Sequence, residues 1–210
     1  GYFETMEEAE AKGGSSFLLP MLAKDYKKEA KKVKFPCYVQ PKLDGMRSLH
    51  DNGFISRTGK AVDTLGHIVI PDTQGLVLDG ELYAHGISFQ ENMKLIKKYR
   101  KGQTEQVKYH VYDLIMDAPF SERYLKAKTL IQGLENVELV HTMIIETEQE
   151  LLDFHKESIA AGYEGTMIRH SEEGYQVNKR SSQLLKYKDF LDEVYIVQAV
   201  LPSESRPEQG

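Results

Sequence analysis

The chain has 210 residues, 40% of them hydrophobic and 28% charged, which is long enough to bury one sizeable core and ordinary for a globular domain. No apolar run approaches the roughly 18 residues that a membrane helix needs, so no membrane is expected as a partner. A net charge of −5 argues against wrapping nucleic acid through a global positive field, and a single cysteine, Cys37, excludes an internal disulfide and shows no zinc spacing.

Residues 1–16 are acidic and then Gly/Ser-rich (Gly13-Gly14-Ser15-Ser16), which reads as a lead-in or linker. They lack the basic and then apolar pattern of a secretory signal. With one thiol, this gives the expectation of a reducing compartment, cytoplasmic or nucleoid/nuclear, and not secretion. The main domain is expected over 17–190. Strands are predicted at Cys37–Gln40, Met46–His50 and Phe54–Ser56, the last two joined across the turn Asp51-Asn52-Gly53 as a hairpin. Further strands are predicted at Leu76–Leu82, Lys108–Leu114, Val137–Val140 and Thr166–Arg169.

Helices carry Ser/Thr-x-x-Glu start signals at Ser88…Glu91, running to about Arg100, and at Thr147…Glu150, running to about Ala161; a third is predicted over Leu125–Leu134. Strands and helices mixed without regular βαβ alternation predict an α+β fold around antiparallel sheets. Beyond Asp189, the segment Glu193–Val200 reads as another strand and Pro202–Gly210 as a polar tail at a domain boundary. Cations cluster at Lys24–Lys34, Lys94–Lys101 and Lys179–Lys188. The first two clusters read as solvated faces.

The strongest local signal is Lys42-Leu43-Asp44-Gly45-Met46-Arg47. A strand ending at an Asp-Gly turn explains it equally well in isolation, but its chemistry is specific. Near its ordinary pKa of about 10.4 a lysine is almost wholly charged at neutral pH, so a nucleophilic lysine needs a neighbouring cation or desolvation. Arg47 is such a cation, and Asp44 is placed to orient the amine or a metal. Five more motifs follow in order: Ser56-Arg57-Thr58-Gly59, Asp79-Gly80-Glu81-Leu82, Tyr109-His110-Val111-Tyr112-Asp113-Leu114, Glu164-Gly165-Thr166-Met167-Ile168-Arg169 and Leu185-Lys186-Tyr187-Lys188. Alone, the first three of these five are a hairpin exit, a common turn and an aromatic core strand; the last is a lysine-guarded strand edge. Together and in this order they resemble the covalent nucleotidyltransferases, and among them the ATP-dependent DNA ligases.

The resemblance implies a nucleotidyltransferase (adenylation) domain of antiparallel sheets flanked by helices (ATP-grasp-like). The start of an oligonucleotide-binding (OB) domain is expected over 191–210, with the rest of that domain expected in the full-length protein, a monomer. It makes Lys42 the nucleophile that takes AMP from ATP, with Asp44, Glu164, Lys186 and Lys188 as its catalytic companions. Gln40, Leu43, Arg47, Glu81, Tyr112 and Met167 join Lys42, Lys186 and Lys188 in binding the nucleotide; Tyr112 stacks on adenine and Gln40, where ligases usually have glutamate, accepts from its amino group. Arg47 and Arg57 face nucleic acid, and Glu81 and Glu164 a magnesium ion.

The implied substrate is nicked double-stranded DNA, its 5′-phosphate adenylylated and then joined to the 3′-hydroxyl. ATP is favoured over NAD because about 20 residues leave no room for the upstream domain of NAD-dependent ligases. The alternatives are a silent nucleotide- or nick-binding module, an RNA ligase, or a capping guanylyltransferase; the last usually has Asp-Gly where this chain has Glu164-Gly165.

Overall fold

A computed structural model describes residues 18–170 and 172–189. The lead-in over 1–16, the strand at 193–200 and the start of an OB domain lie outside the described residues. Two sheets form the frame. The first has the order β1-β11-β10-β2-β9, from Leu22–Asp25 (β1), Cys37–Lys42 (β2), Met143–Ile145 (β9), Gly165–Arg169 (β10) and Arg180–Tyr187 (β11). The second has the order β5-β4-β3-β6-β7-β8, from Met46–His50 (β3), Phe54–Ser56 (β4), Ala61–Val62 (β5), Val77–Tyr83 (β6), Lys108–Ile115 (β7) and Val137–Leu139 (β8). Pairing is antiparallel except where β1 meets β11 and β7 meets β8, which run parallel.

Helices Tyr26–Glu29 (α1), Phe89–Lys97 (α2), Phe120–Ile131 (α3) and Glu148–Ala160 (α4) flank the sheets. Ser88 and Glu91 close the reciprocal cap expected of them. Thr147 accepts from the Glu150 amide, while the Glu150 carboxylate turns to the Glu146 amide. Helix α2 stops at Lys97, short of the expected Arg100, because the Arg100 guanidinium folds back to the carbonyls of Lys94 and Lys98 at 2.5 and 3.1 Å. Helix α3 starts five residues before the predicted Leu125, without a side-chain cap at Pro119, because its first turns bury Phe120 and Arg123.

Each sheet has its own core. Leu78, Leu82, Ile96, Tyr109, Val111 and Leu114 anchor the one under the second sheet, and Val39, Ile145, Leu151, Ile168 and Leu185 the one under the first. A β-bulge in β7 then shapes what lies between them. Asp79 pairs with Asp113 but Gly80 pairs with Val111, so Tyr112 is the extra residue. Core-facing positions shift from odd numbers (Tyr109, Val111) to even (Leu114) across it, which turns Tyr112 and Asp113 away from that core.

Burial of His50 against Phe54 lowers its pKa, and its Nδ1 has no hydrogen-bond partner. A depressed histidine costs stability as pH falls below its ordinary value of about 6.5, because only the unfolded chain then takes up the proton freely. Urea unfolding is expected to show stability declining between pH 7 and pH 5, and His50→Phe should flatten part of that decline. An unchanged pH slope in the variant would refute this role for His50.

Candidate active site

Period-two geometry assembles the walls of the cleft between the sheets. In the first sheet Gln40 on β2, Met167 on β10 and Lys186 on β11 are cross-strand partners on one rung. All three line the cleft. On the next rung Arg169 and Leu184 line it as well. In the second sheet Arg47 on β3 pairs with Glu81 on β6, and both line the cleft with Tyr112 and Leu43. The cavity has a volume of about 760 Å³, within the range that holds a nucleotide-sized ligand.

Lys42 ends β2 beside Gly165, with its Nζ on one oxygen of the Glu164 carboxylate. Lys188 Nζ, one residue past the end of β11, reaches the other oxygen at 3.3 Å. Burial acts to raise Glu164, but the hydrogen bond and charge of Lys42, joined by Lys188, outweigh it and leave the carboxyl below its ordinary range. Asp44 moves the other way: burial and then the Glu164 charge raise it. Two glycines make this close packing possible. A Cβ on Gly45 would lie 2.3 Å from the Leu82 carbonyl oxygen, and one on Gly165 2.1 Å from that of Tyr187.

Arg47 is bound at both ends of its guanidinium by Asp79, at 3.0 Å through Nε and 2.6 Å through Nη2, and the Tyr175 hydroxyl donates to the same carboxylate at 2.6 Å. The charge that was expected to act on Lys42 is therefore already paired. Glu81, on the same strand as Asp79, is raised to about 8 by burial, against the opposing pull of Arg47 and Lys42. Two cations approach the Tyr112 ring, the guanidinium carbons of Arg47 and Arg169 lying 5.7 and 5.9 Å from its centroid.

Arg57 stands exposed in the β4–β5 turn at the cleft, whose lining also includes Lys60 and Lys97. The second basic cluster is thus not solely a solvated helix face. Asp44, Glu164 and Lys188 adjoin the cleft through Lys42 without lining it.

Residues that sequence reading left out complete the site. Asp79 holds Arg47, and Arg169, the last residue of the Glu164 motif, touches both Gln40 and Asp113. Thr142 and Tyr175 bond Gln40 and Asp79. The charged residues of the quoted motifs were a usable signal for Asp79 and Arg169; nothing local marks Thr142 or Tyr175.

A lysine and a carboxylate in contact beside a cation-lined cleft between two sheets is the arrangement expected of a nucleotidyltransferase domain, and the fold is of that class. The fold matches the Chlorella virus DNA ligase-adenylate with a TM-score of 0.67 at 26% identity, covering 82% of this chain and 68% of that one. The model of the ATP-dependent DNA ligase domain family matches residues 20–188, and the chain belongs to that family. The DNA ligase of Enterobacteria phage T4 is 24% identical across 89% of this chain, and that of Haemophilus influenzae 29% identical across 70%. The aligned regions span 52% and 56% of those two relatives, so the chain corresponds to about half their length.

Proposed function

We propose that this domain transfers AMP from ATP to Lys42 and then to the 5′-phosphate at a nick in double-stranded DNA, within a ligase that joins the nick to its 3′-hydroxyl. The observation that carries this reading is Lys42 in contact with Glu164 at one end of a cleft walled by Gln40, Met167 and Lys186 opposite Arg47 and Glu81. A paired ammonium has no lone pair, so it must give a proton to the Glu164 carboxylate it contacts, or to solvent, before it attacks. Its Nζ then bonds to the α-phosphorus as the bond to pyrophosphate breaks. In the second step a 5′-phosphate oxygen takes the AMP from Nζ, and in the third the 3′-hydroxyl displaces AMP.

Negative charge on the non-bridging oxygens is met by Lys186 in the cleft and Lys188 beside it. Tyr112 offers its ring to the base, Glu81 its carboxyl to the ribose, and Leu43 and Met167 apolar contact. Magnesium would be held by the carboxylates of Glu81 and Glu164 together with phosphate oxygens of the nucleotide, since the described residues contain no cluster of three or more side chains that could hold it alone, and Glu164 would have to release Lys42 or Lys188 to reach it. When bound, it neutralises charge on phosphate oxygens.

Intact mass after incubation with ATP and magnesium tests the reading: one AMP is expected on the peptide that contains Lys42, and none with GTP. A folded protein, joined to the remainder of its ligase, that acquires no nucleotide would refute it. Arg57, proposed to meet a phosphate at the nick, carries a separate expectation. Arg57→Ala should weaken nicked-duplex binding about three- to tenfold at low salt and reduce the salt slope by about one. An unaltered slope in a binding titration would remove Arg57 from the interface.

A further inference from the structure

Gln40 is 1% exposed, and its amide is gripped from three sides. Its Nε2 donates to the Tyr112 carbonyl at 3.1 Å and to Thr142 Oγ1 at 2.9 Å, and its Oε1 accepts from Arg169 Nε at 3.1 Å. The opposite orientation would set an NH2 against a guanidinium and an oxygen against a carbonyl, so these partners dictate which way the amide lies. Both N–H donors are used, whereas the amide oxygen keeps one lone pair. Towards a ligand, Gln40 is therefore an acceptor only.

That property depends on Arg169. A glutamate would accept through either oxygen, but a glutamine presents an acceptor only while something holds its oxygen in place. Arg169 has little freedom to do otherwise. Its Nη1 donates to Asp113 Oδ2 at 2.5 Å, and Asp113 is clasped by Arg123 at 2.7 and 3.1 Å and by the Leu114 amide at 2.8 Å. Its guanidinium lies 4.4 Å from the Phe120 ring centroid. Asp113, Arg123 and Arg169 are each 4% exposed or less, and the bulge at Tyr112 is what turns Asp113 towards them.

We infer that Arg169, anchored by Asp113 and Arg123, is a positioning residue that sets base selectivity by holding the Gln40 carbonyl ready for an exocyclic amino group of the bound purine. This rests on the nucleotidyltransferase reading above.

Competition binding of the whole protein with ATP and with purine riboside triphosphate, whose base lacks the 6-amino group, tests it. Wild type should prefer ATP by about tenfold, the worth of one well-made hydrogen bond. Arg169→Met should abolish most of that preference, weakening ATP about tenfold more than the amino-free nucleotide. It should also improve GTP relative to ATP, because a released amide can offer N–H to a 6-oxo group. The variant keeps the Asp113–Arg123 pair, which protects the fold. Arg169→Lys gives a second variant with the same expectation, since an ammonium held by Asp113 cannot also make the Nε contact.

In a Gln40→Leu background Arg169→Met should leave the preference unchanged, the mark of action through Gln40. Equal weakening of both nucleotides by Arg169→Met, or an effect on preference that survives in Gln40→Leu, would overturn the inference. A wild type that binds both nucleotides equally overturns the inference alone. A wild type that binds neither overturns the nucleotidyltransferase reading and the inference with it.

Discussion

Asp113→Ala is expected to lower the unfolding free energy by about 3–5 kcal/mol or more, the loss typical when one partner of a buried ion pair is removed. Two guanidiniums, Arg123 at 2% exposed and Arg169 at 4%, share this carboxylate. Without it two positive charges face one another out of water, a cost far above that of a lost hydrogen bond. Since domains of this size hold only about 5–15 kcal/mol in total, much of the protein could fail to fold. Arg123→Met, by contrast, leaves Asp113 paired with Arg169 and should cost less than Asp113→Ala. Urea unfolding of the two variants checks the ranking; a loss below about 1 kcal/mol for Asp113→Ala would show that the cluster is hydrated in solution.

Lys42→Arg is expected to abolish covalent AMP while leaving nucleotide binding within a few fold of wild type. Arginine keeps the positive charge that contacts Glu164, so the electrostatics of the pair survive. A guanidinium does not give up its proton at neutral pH and has no lone pair for phosphorus. Loss of the adduct with retained binding therefore separates nucleophile from binding cation, which Lys42→Ala, lacking both, cannot do. Intact mass measures the first quantity and nucleotide competition the second. An adduct that persists and maps to Lys186 or Lys188 would move the nucleophile to a neighbouring lysine.

Much of the site was legible because it depends on short-range geometry. Alternation along a strand puts Gln40 and Lys42 on one face of β2, and the Asp51-Asn52-Gly53 turn brings β3 back against β4, with Asn52 and Gly53 at positive φ. The Ser88 cap is equally local. Strands β1, β5 and β9 and helix α1 were not predicted. β1 is held by a parallel partner more than 150 residues away, and β5 is only two residues long. β9 lies at a sheet edge with Met143 and Ile144 exposed, so it lacks the alternation that marks a half-buried strand.

The sequence by itself determined which residue types stand in the motifs and in what order: a lysine, carboxylates, an aromatic ring and paired lysines at strand spacing. Only the tertiary structure decided which charges meet. Arg47 went to Asp79 instead of remaining free near Lys42, Arg169 joined Gln40 to Asp113, and Lys97 came to the cleft beside Lys60. Those outcomes depend on sheet register and, for Asp113, on the bulge at Tyr112, which exchanges the faces of the remaining residues of β7. Periodicity in the chain does not encode that exchange, because it arises from pairing across strands far apart in sequence.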